Sequence, residues 1–189
     1  MGKTPGQKAA RVKGFKMSES EILRKIAVIF VTDVVGFSTL MAQNEELTLR
    51  SFRSCKEILD NLFEEHSGRI FNTAGDSVLA EFPSAVSAVI CAVEFQKLIK
   101  ARNASVPNAA QMQFRIGLNM GDVIIEGTNL YGDGVNVAAR LEALSQAGGV
   151  CLSKSIHDFV SQKVDLGFQD IGAQQVKNTN VHAFDVSIG

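Results

Sequence analysis

Phe71-Asn72-Thr73-Ala74-Gly75-Asp76-Ser77-Val78-Leu79-Ala80-Glu81-Phe82 is the stretch on which the fold turns. Two short apolar-rich runs flank Gly75-Asp76. A Gly-Asp pair between such runs predicts a β-hairpin, because glycine supplies the positive φ that a tight primed turn demands. The hairpin carries Asp76 at its tip, at one end of a sheet. Aspartate also favours turns for a local reason, hydrogen bonding to its own backbone. A functional role for Asp76 therefore depends on what the rest of the chain brings beside it.

Upstream, Ala27 to Val31 is a continuous apolar run rich in β-branched residues. It is too short for a core helix and suits a central strand covered on both sides. It leads into Thr32-Asp33-Val34-Val35-Gly36-Phe37-Ser38. A carboxylate at the end of a buried strand must be hydrogen-bonded, paired or metal-bound. Gly36 then turns the chain toward a helix. Leu49, Phe52, Cys55, Leu59 and Leu62 recur at helical spacing, which predicts an amphipathic helix ended by Gly68. Ser18-Glu19-Ser20-Glu21 has the form of a capping box and predicts a short helix from near Glu19.

Downstream, Ser84 is the expected cap of a second long helix whose apolar face is Val86, Val89, Ile90, Val93 and Leu98. Residues 101–110, with Pro107, read as a polar loop. Met112, Phe114, Ile116 and Leu118 alternate as a strand does. Gly121-Asp122 predicts a second turn, with Val123 to Glu126 pairing back. A loop rich in turn formers, 127–134, precedes a helix over Val135 to Leu144. Asn136 and Arg140 lie four apart there and project together. Gly148-Gly149 stops that helix before a short strand at Val150 to Leu152. Ser153 or Ser155 caps one further helix, and the rest reads as short β segments around a loop holding Lys177. Helices and antiparallel hairpins alternate without a regular βαβ series. That predicts an α+β fold, an antiparallel sheet with its helices on one face.

The 189 residues suit one domain with a real core. Net charge is −1, so no global field argues for nucleic acid or a membrane surface. Residues 1–16 carry five basic residues and no acid. The organisation expected is a basic flexible arm or linker over 1–22 and one domain over 23–189. The chain lacks the long apolar run of a signal peptide or membrane span. Cys55, Cys91 and Cys151 are far apart and form no C-x-x-C pair, which fits reduced, packed thiols in a cytoplasm. Their spacing to His66, His157 and His182 is wrong for zinc.

Asp33 and Asp76 converge at one sheet end if the hairpin flanks the first strand. Two hard oxygen donors with an open side suit Mg²⁺ or Mn²⁺, with substrate phosphates filling the remaining positions. Such a pair could hold two ions and support in-line attack at phosphorus. Backbone N–H groups from Val34 to Ser38, including Gly36 and Phe37, open onto a helix and could take a phosphate. No P-loop is present, and Gly132-x-Gly134 lacks the third glycine of a dinucleotide fingerprint.

Three separated segments carry a resemblance. Phe30 to Ser38, Thr73-Ala74-Gly75-Asp76-Ser77 and Tyr131 to Glu142 resemble the motifs of class III adenylate/guanylate cyclase catalytic domains, most closely bacterial ones. The resemblance implies a ferredoxin-like core and a head-to-tail homodimer with composite active sites. It implies cyclisation of ATP or GTP to the 3′,5′-monophosphate with release of pyrophosphate. Asp33 and Asp76 match the metal carboxylates, with Val34 beside them, for two Mg²⁺ or Mn²⁺ ions. Asn136 and Arg140 match the transition-state pair, and Lys177 the lysine on the terminal phosphates. The base-reading positions hold Asn72 and Asn129, where adenylate-type members carry Lys and Asp and guanylate-type members Glu and a small residue. An amide donates or accepts, so the pair can serve either purine, and a weak preference for ATP is the expectation. The alternative is a catalytically degenerate nucleotide-binding or dimerisation module of a signalling protein.

Overall fold

A computed structural model of the chain describes residues 22–176 and 178–189. The expected helix near Glu19 lies outside them, as do the basic arm through residue 21 and Lys177. The elements run β1 (Leu23–Val34), α1 (Phe37–Gln43), α2 (Glu45–Glu65), β2 (Arg69–Ala74), β3 (Ser77–Phe82), α3 (Ala85–Ser105), a 3-10 turn (Asn108–Ala110), β4 (Phe114–Glu126), β5 (Asn129–Tyr131), α4 (Asp133–Leu144), β6 (Val150–Ser153), α5 (Lys154–Val160), β7 (Gly167–Val176) and β8 (Thr179–Ser187). The strands form one mixed sheet in the order β2-β3-β1-β4-β6-β8-β7, with β5 paired to β4. Every pairing is antiparallel except β4 with β6. The course β1-α2-β2-β3-α3-β4 is the ferredoxin-like β-α-β-β-α-β unit.

Alternation along β1 sorts the core into two layers. Val28, Phe30 and Val34 face a cluster with Leu59 and Leu62 of α2 and Val89 and Phe95 of α3. Ala27, Ile29 and Val31 face the other way, onto Val135 and Ala138 of α4. Helices therefore cover both faces, where the order of elements had favoured one. The ferredoxin-like half obeys the one-face expectation, and α4, which follows it in the chain, takes the second.

The hairpin is as the sequence reads. Gly75 sits at φ 62°, and β2 and β3 close with Ala74 opposite Ser77. A register shift between Ile70 and Asn72 adds a bulge at Phe71. Ser84 caps α3 by accepting the Ser87 N–H, and Ser153 caps α5 by accepting that of Ile156.

Several boundaries differ from the sequence reading. β4 runs unbroken through Gly121-Asp122, because the long β1 offers it partners from Leu23 to Val34. Asp122 pairs with Arg24 of β1 rather than turning the chain. The turn comes later, at Gly127 with φ 61°. α3 continues to Ser105, so the first half of the expected loop is helix, and Leu98 is exposed while Phe95 and Ile99 are buried. β7 and β8 form one long hairpin where short segments were expected. At the end of α2 the left-handed residue is Ser67, at φ 60°. Gly68 is small for another reason, since a Cβ there would lie 2.6 Å from the Phe82 ring.

α4 docks on β4 through glycine. A Cβ on Gly117 would fall 2.2 Å from both the Ala138 carbonyl oxygen and the Glu142 backbone nitrogen. Backbone cannot rotate aside as a side chain can. Gly117→Ala is expected to lower the free energy of unfolding by about 3 kcal/mol or more. Chemical denaturation would measure it, and a stability equal to the wild type would mean that α4 can retreat from the sheet without loss.

Candidate active site

Asp33 stands one residue before the end of β1, and Asp76 at the tip of the β2–β3 hairpin. Because β3 pairs with β1, both carboxylates reach the same sheet end. The link is direct: the Val34 N–H donates to Asp76 Oδ2 at 2.9 Å. The Val35 N–H is held by the Gln113 carbonyl at 2.8 Å, which fixes the chain just after Asp33. Gly36 follows at φ 67° and opens α1 with no side-chain cap on its first N–H groups. Phe37 packs on Phe52, and Ser38 is exposed. Thus Asp33, Val34, Asp76 and the Gly36–Ser38 backbone come together as the sequence reading required.

Two residues of the cluster escaped that reading. Arg115 is the cross-strand partner of Asp33 in the β1–β4 register. Its guanidinium lies 3.4 Å from both Asp33 carboxylate oxygens, and its Nε lies 3.1 Å from Glu142 Oε1 without hydrogen-bond alignment. Glu142 comes from α4 and is 7% exposed. Burial, first, and then hydrogen bonding to Asp33 and the charges of Asp33 and Asp76 push its carboxyl up to about 8, against the pull of Arg115. Glu142 therefore carries its proton at neutral pH. Its position was legible in principle, seven residues after Val135 and four after Ala138 on the buried stripe of α4.

Asn136 is exposed near the start of α4, and Arg140 is half-buried one turn later. Arg140 Nη1 is buried without a hydrogen-bond partner among the described residues. Asn136 is six residues from Glu142, about 9 Å along the helix axis. No hydrogen bond or ion pair among the described residues joins Asn136 or Arg140 to Asp33 or Asp76. One chain thus brings the carboxylates together without bonding them to the second pair.

Asn72 is exposed on the edge strand β2, just past the bulge. Asn129 begins β5 with its amide engaged on both sides. Its Oδ1 accepts the Leu130 N–H and its Nδ2 donates to the Tyr131 hydroxyl, each at 2.9 Å. Arg69 joins the two strands by donating to the Thr128 carbonyl at 2.7 Å.

The carboxylate pair fits a hard divalent cation in its donor chemistry. Asp33 and Asp76 offer half-exposed carboxylate oxygens, and Asp76 Oδ1 takes no hydrogen bond among the described residues. Among those residues no group of three or more His, Cys, Asp or Glu side chains is arranged to hold a metal. Further ligands at Asp33 and Asp76 would then be backbone, water or substrate oxygens. Among the described residues no helix is long and apolar enough to cross a membrane.

The fold has known counterparts. The family model for the adenylate and guanylate cyclase catalytic domain matches residues 18–186. The chain belongs to that family. A Rhizobium meliloti protein named "Putative adenylate cyclase 3" is 44% identical over 163 residues, covering 86% of this chain and 28% of its own length. This chain thus spans less than a third of that relative. The crystal structure of an adenylate/guanylate cyclase/hydrolase from Silicibacter pomeroyi superposes with a TM-score of 0.80 at 36% identity, covering 87% of this chain and 98% of that one. The adenylyl cyclase CyaB from P. aeruginosa shares the fold at a TM-score of 0.76 and 24% identity, covering 89% and 96%.

Protonation of Glu142 has a consequence for stability. A carboxyl whose pKa is raised on folding binds more protons in the folded state than in the unfolded one between about pH 4.5 and 8. Stability contributed by this group is present at low pH and lost as pH rises through that window. In the absence of divalent metal, Glu142→Gln should flatten the fall in melting temperature between pH 5 and pH 8. The variant should gain a few °C over the wild type at pH 8 relative to pH 5. Thermal unfolding in a chelator at the two pH values measures this; parallel pH profiles would mean that Glu142 is ionised throughout.

Proposed function

We propose that this chain is a purine-nucleotide cyclase that converts ATP, with GTP as the poorer substrate, to the 3′,5′-cyclic monophosphate and pyrophosphate. The observation that carries the reading is the hydrogen bond from Val34 to Asp76, which holds the two carboxylates at one sheet end. In this reading Asp33, Asp76 and the Val34 carbonyl hold two Mg²⁺ or Mn²⁺ ions. Bound there, such ions lower the pKa of the ribose 3′-hydroxyl and offset charge on the phosphates. The uncapped N–H groups at Gly36, Phe37 and Ser38 bind phosphate oxygens. The 3′-oxygen attacks the α-phosphorus, its proton passes to solvent, and the bond to the β-phosphate breaks. Asn136 orients the ribose, and Arg140 stabilises the charge growing on the α-phosphate. Lys177 holds the terminal phosphates, while Asn72 and Asn129 face the base. The relative at 44% identity supports adenine as the preferred base.

The working unit is a homodimer with sites shared across the interface, its carboxylates from one subunit and Asn136, Arg140 and Lys177 from the other. The unpartnered Arg140 Nη1 and the exposed Asn136 support this division. Cys55, Cys91 and Cys151 are buried unpaired thiols, which suits a reducing cytoplasm. The departures at Asn72 and Asn129 favour the second reading, a nucleotide-binding module that has lost catalysis.

Purified protein with Mn²⁺ and each nucleotide should release cyclic product and pyrophosphate, more from ATP than from GTP. Equal turnover would remove the adenine preference, and tight nucleotide binding without product would favour the module. Asp76→Ala and Arg140→Ala should each abolish activity while leaving the fold intact. Mixing the two should restore about a quarter of it, since half the dimers are mixed and each holds one intact site. No recovery in a mixture shown to exchange subunits would overturn the shared site.

A further inference from the structure

The hydroxyl of Tyr131 is built into the end of β5 in a way the roles above do not use. Tyr131 is 45% exposed, while Leu130 beside it is 2% exposed and anchors the strand in the α4-side core. Alternation along the strand puts Asn129 and Tyr131 on the same side of β5. The Asn129 amide cannot turn over freely. Its Oδ1 accepts the Leu130 N–H at 2.9 Å, which aims Nδ2 at the Tyr131 hydroxyl, where it donates at 2.9 Å. A phenol oxygen that accepts one hydrogen bond keeps its own O–H to give away. The Arg69 bond to the Thr128 carbonyl holds the start of this short strand against β2. The side chains of Asn129 and Tyr131 therefore form a fixed unit whose outward group is a hydroxyl donor.

We infer that Tyr131 contacts the purine, its O–H donating to the acceptor on the six-membered ring, N1 of adenine or O6 of guanine. The inference rests on Asn129 lying at the base subsite of the proposed cyclase, since the two side chains share a hydrogen bond. The chemistry explains what the amide changes. A carboxylate at position 129 would accept the phenol O–H hydrogen bond and leave the oxygen to accept from the 6-amino group of adenine, where guanine carries a carbonyl. The amide does the reverse, so the phenol offers a donor that adenine meets with N1 and guanine, shifted in the site, with O6. Weak discrimination between ATP and GTP follows, because neither base leaves a buried polar group unpaired.

Steady-state kinetics with Mn²⁺-ATP and Mn²⁺-GTP test this on the full chain. Tyr131→Phe should lower kcat/KM for both nucleotides by about tenfold or more, the cost of a lost hydrogen bond in a closed site. Product inhibition by pyrophosphate should be unchanged, because pyrophosphate occupies only the phosphate end. Asn129→Asp should raise the ATP-to-GTP ratio of kcat/KM by roughly tenfold, by reversing the direction of the phenol hydrogen bond. The loss in Tyr131→Phe should persist in an Asn129→Ala background. Values for Tyr131→Phe within about twofold of wild type with both nucleotides, a size below one hydrogen bond, would overturn the inference. So would an equal weakening of pyrophosphate inhibition, or a loss that vanishes once Asn129 is alanine. A wild type that turns over neither nucleotide refutes the cyclase reading instead. The same substitutions are then compared by calorimetric binding of ATP and GTP, where unchanged affinities for Tyr131→Phe overturn the base contact.

Discussion

Helix α4 lies on β4 so closely that Gly117 has no room for a side chain, and the site depends on that contact. With a hypothetical Cβ 2.2 Å from the Ala138 carbonyl, the helix is as near the sheet as backbone allows. Gly134 repeats the constraint at the other end of the helix, where a Cβ would meet the Asp122 carbonyl at 2.6 Å. Two close contacts fix the height and the rotation of α4. The Glu142 carboxyl is thereby carried to Asp33 and Arg115. The same rotation turns Asn136 out to solvent and buries Arg140 only in part.

Charge at the sheet end follows from that placement. Asp33 and Asp76 are held near each other by backbone pairing and by the Val34 N–H. Two carboxylates in such proximity favour a neighbouring positive charge, and without metal Arg115 is the group at hand. Glu142 is a third carboxyl in the same place, and burial beside Asp33 keeps its proton on. A neutral carboxyl adds hydrogen bonding without adding repulsion. The cluster thus tolerates three acids where three full negative charges would strain the end of the sheet.

The hairpin from Phe71 to Phe82 was legible because its signals are local. Gly75 takes the positive φ that its position demands, and the flanking runs pair as their composition suggests. Asp33, Asp76, Asn136 and Arg140 were legible as residues of a recognisable pattern. Arg115 was not, since a charge in a strand looks ordinary in its own element, and the buried stripe of α4 marked the place of Glu142 without showing what it meets. The false turn at Gly121-Asp122 failed for the same kind of reason. Gly-Asp is a turn signal locally, yet β1 supplies ladder partners through both residues, and the ladder outweighs the turn propensity. Gly121 serves close packing instead, lying against Asn119 and Gly134.

By itself the sequence determined most of the elements, the hairpin tip, the helix cap at Ser84, and the family. Those rest on interactions within a few residues, or on motifs whose spacing is preserved in the chain. Tertiary structure alone decided that helices cover both faces, that β4 is continuous, and that Arg115 and Glu142 meet Asp33. It also decided that the amide of Asn129 points toward the Tyr131 hydroxyl. In each case the deciding partner is a neighbouring strand, an opposing helix, or a backbone N–H whose direction is set by folding. Sequence spacing carries no record of those directions.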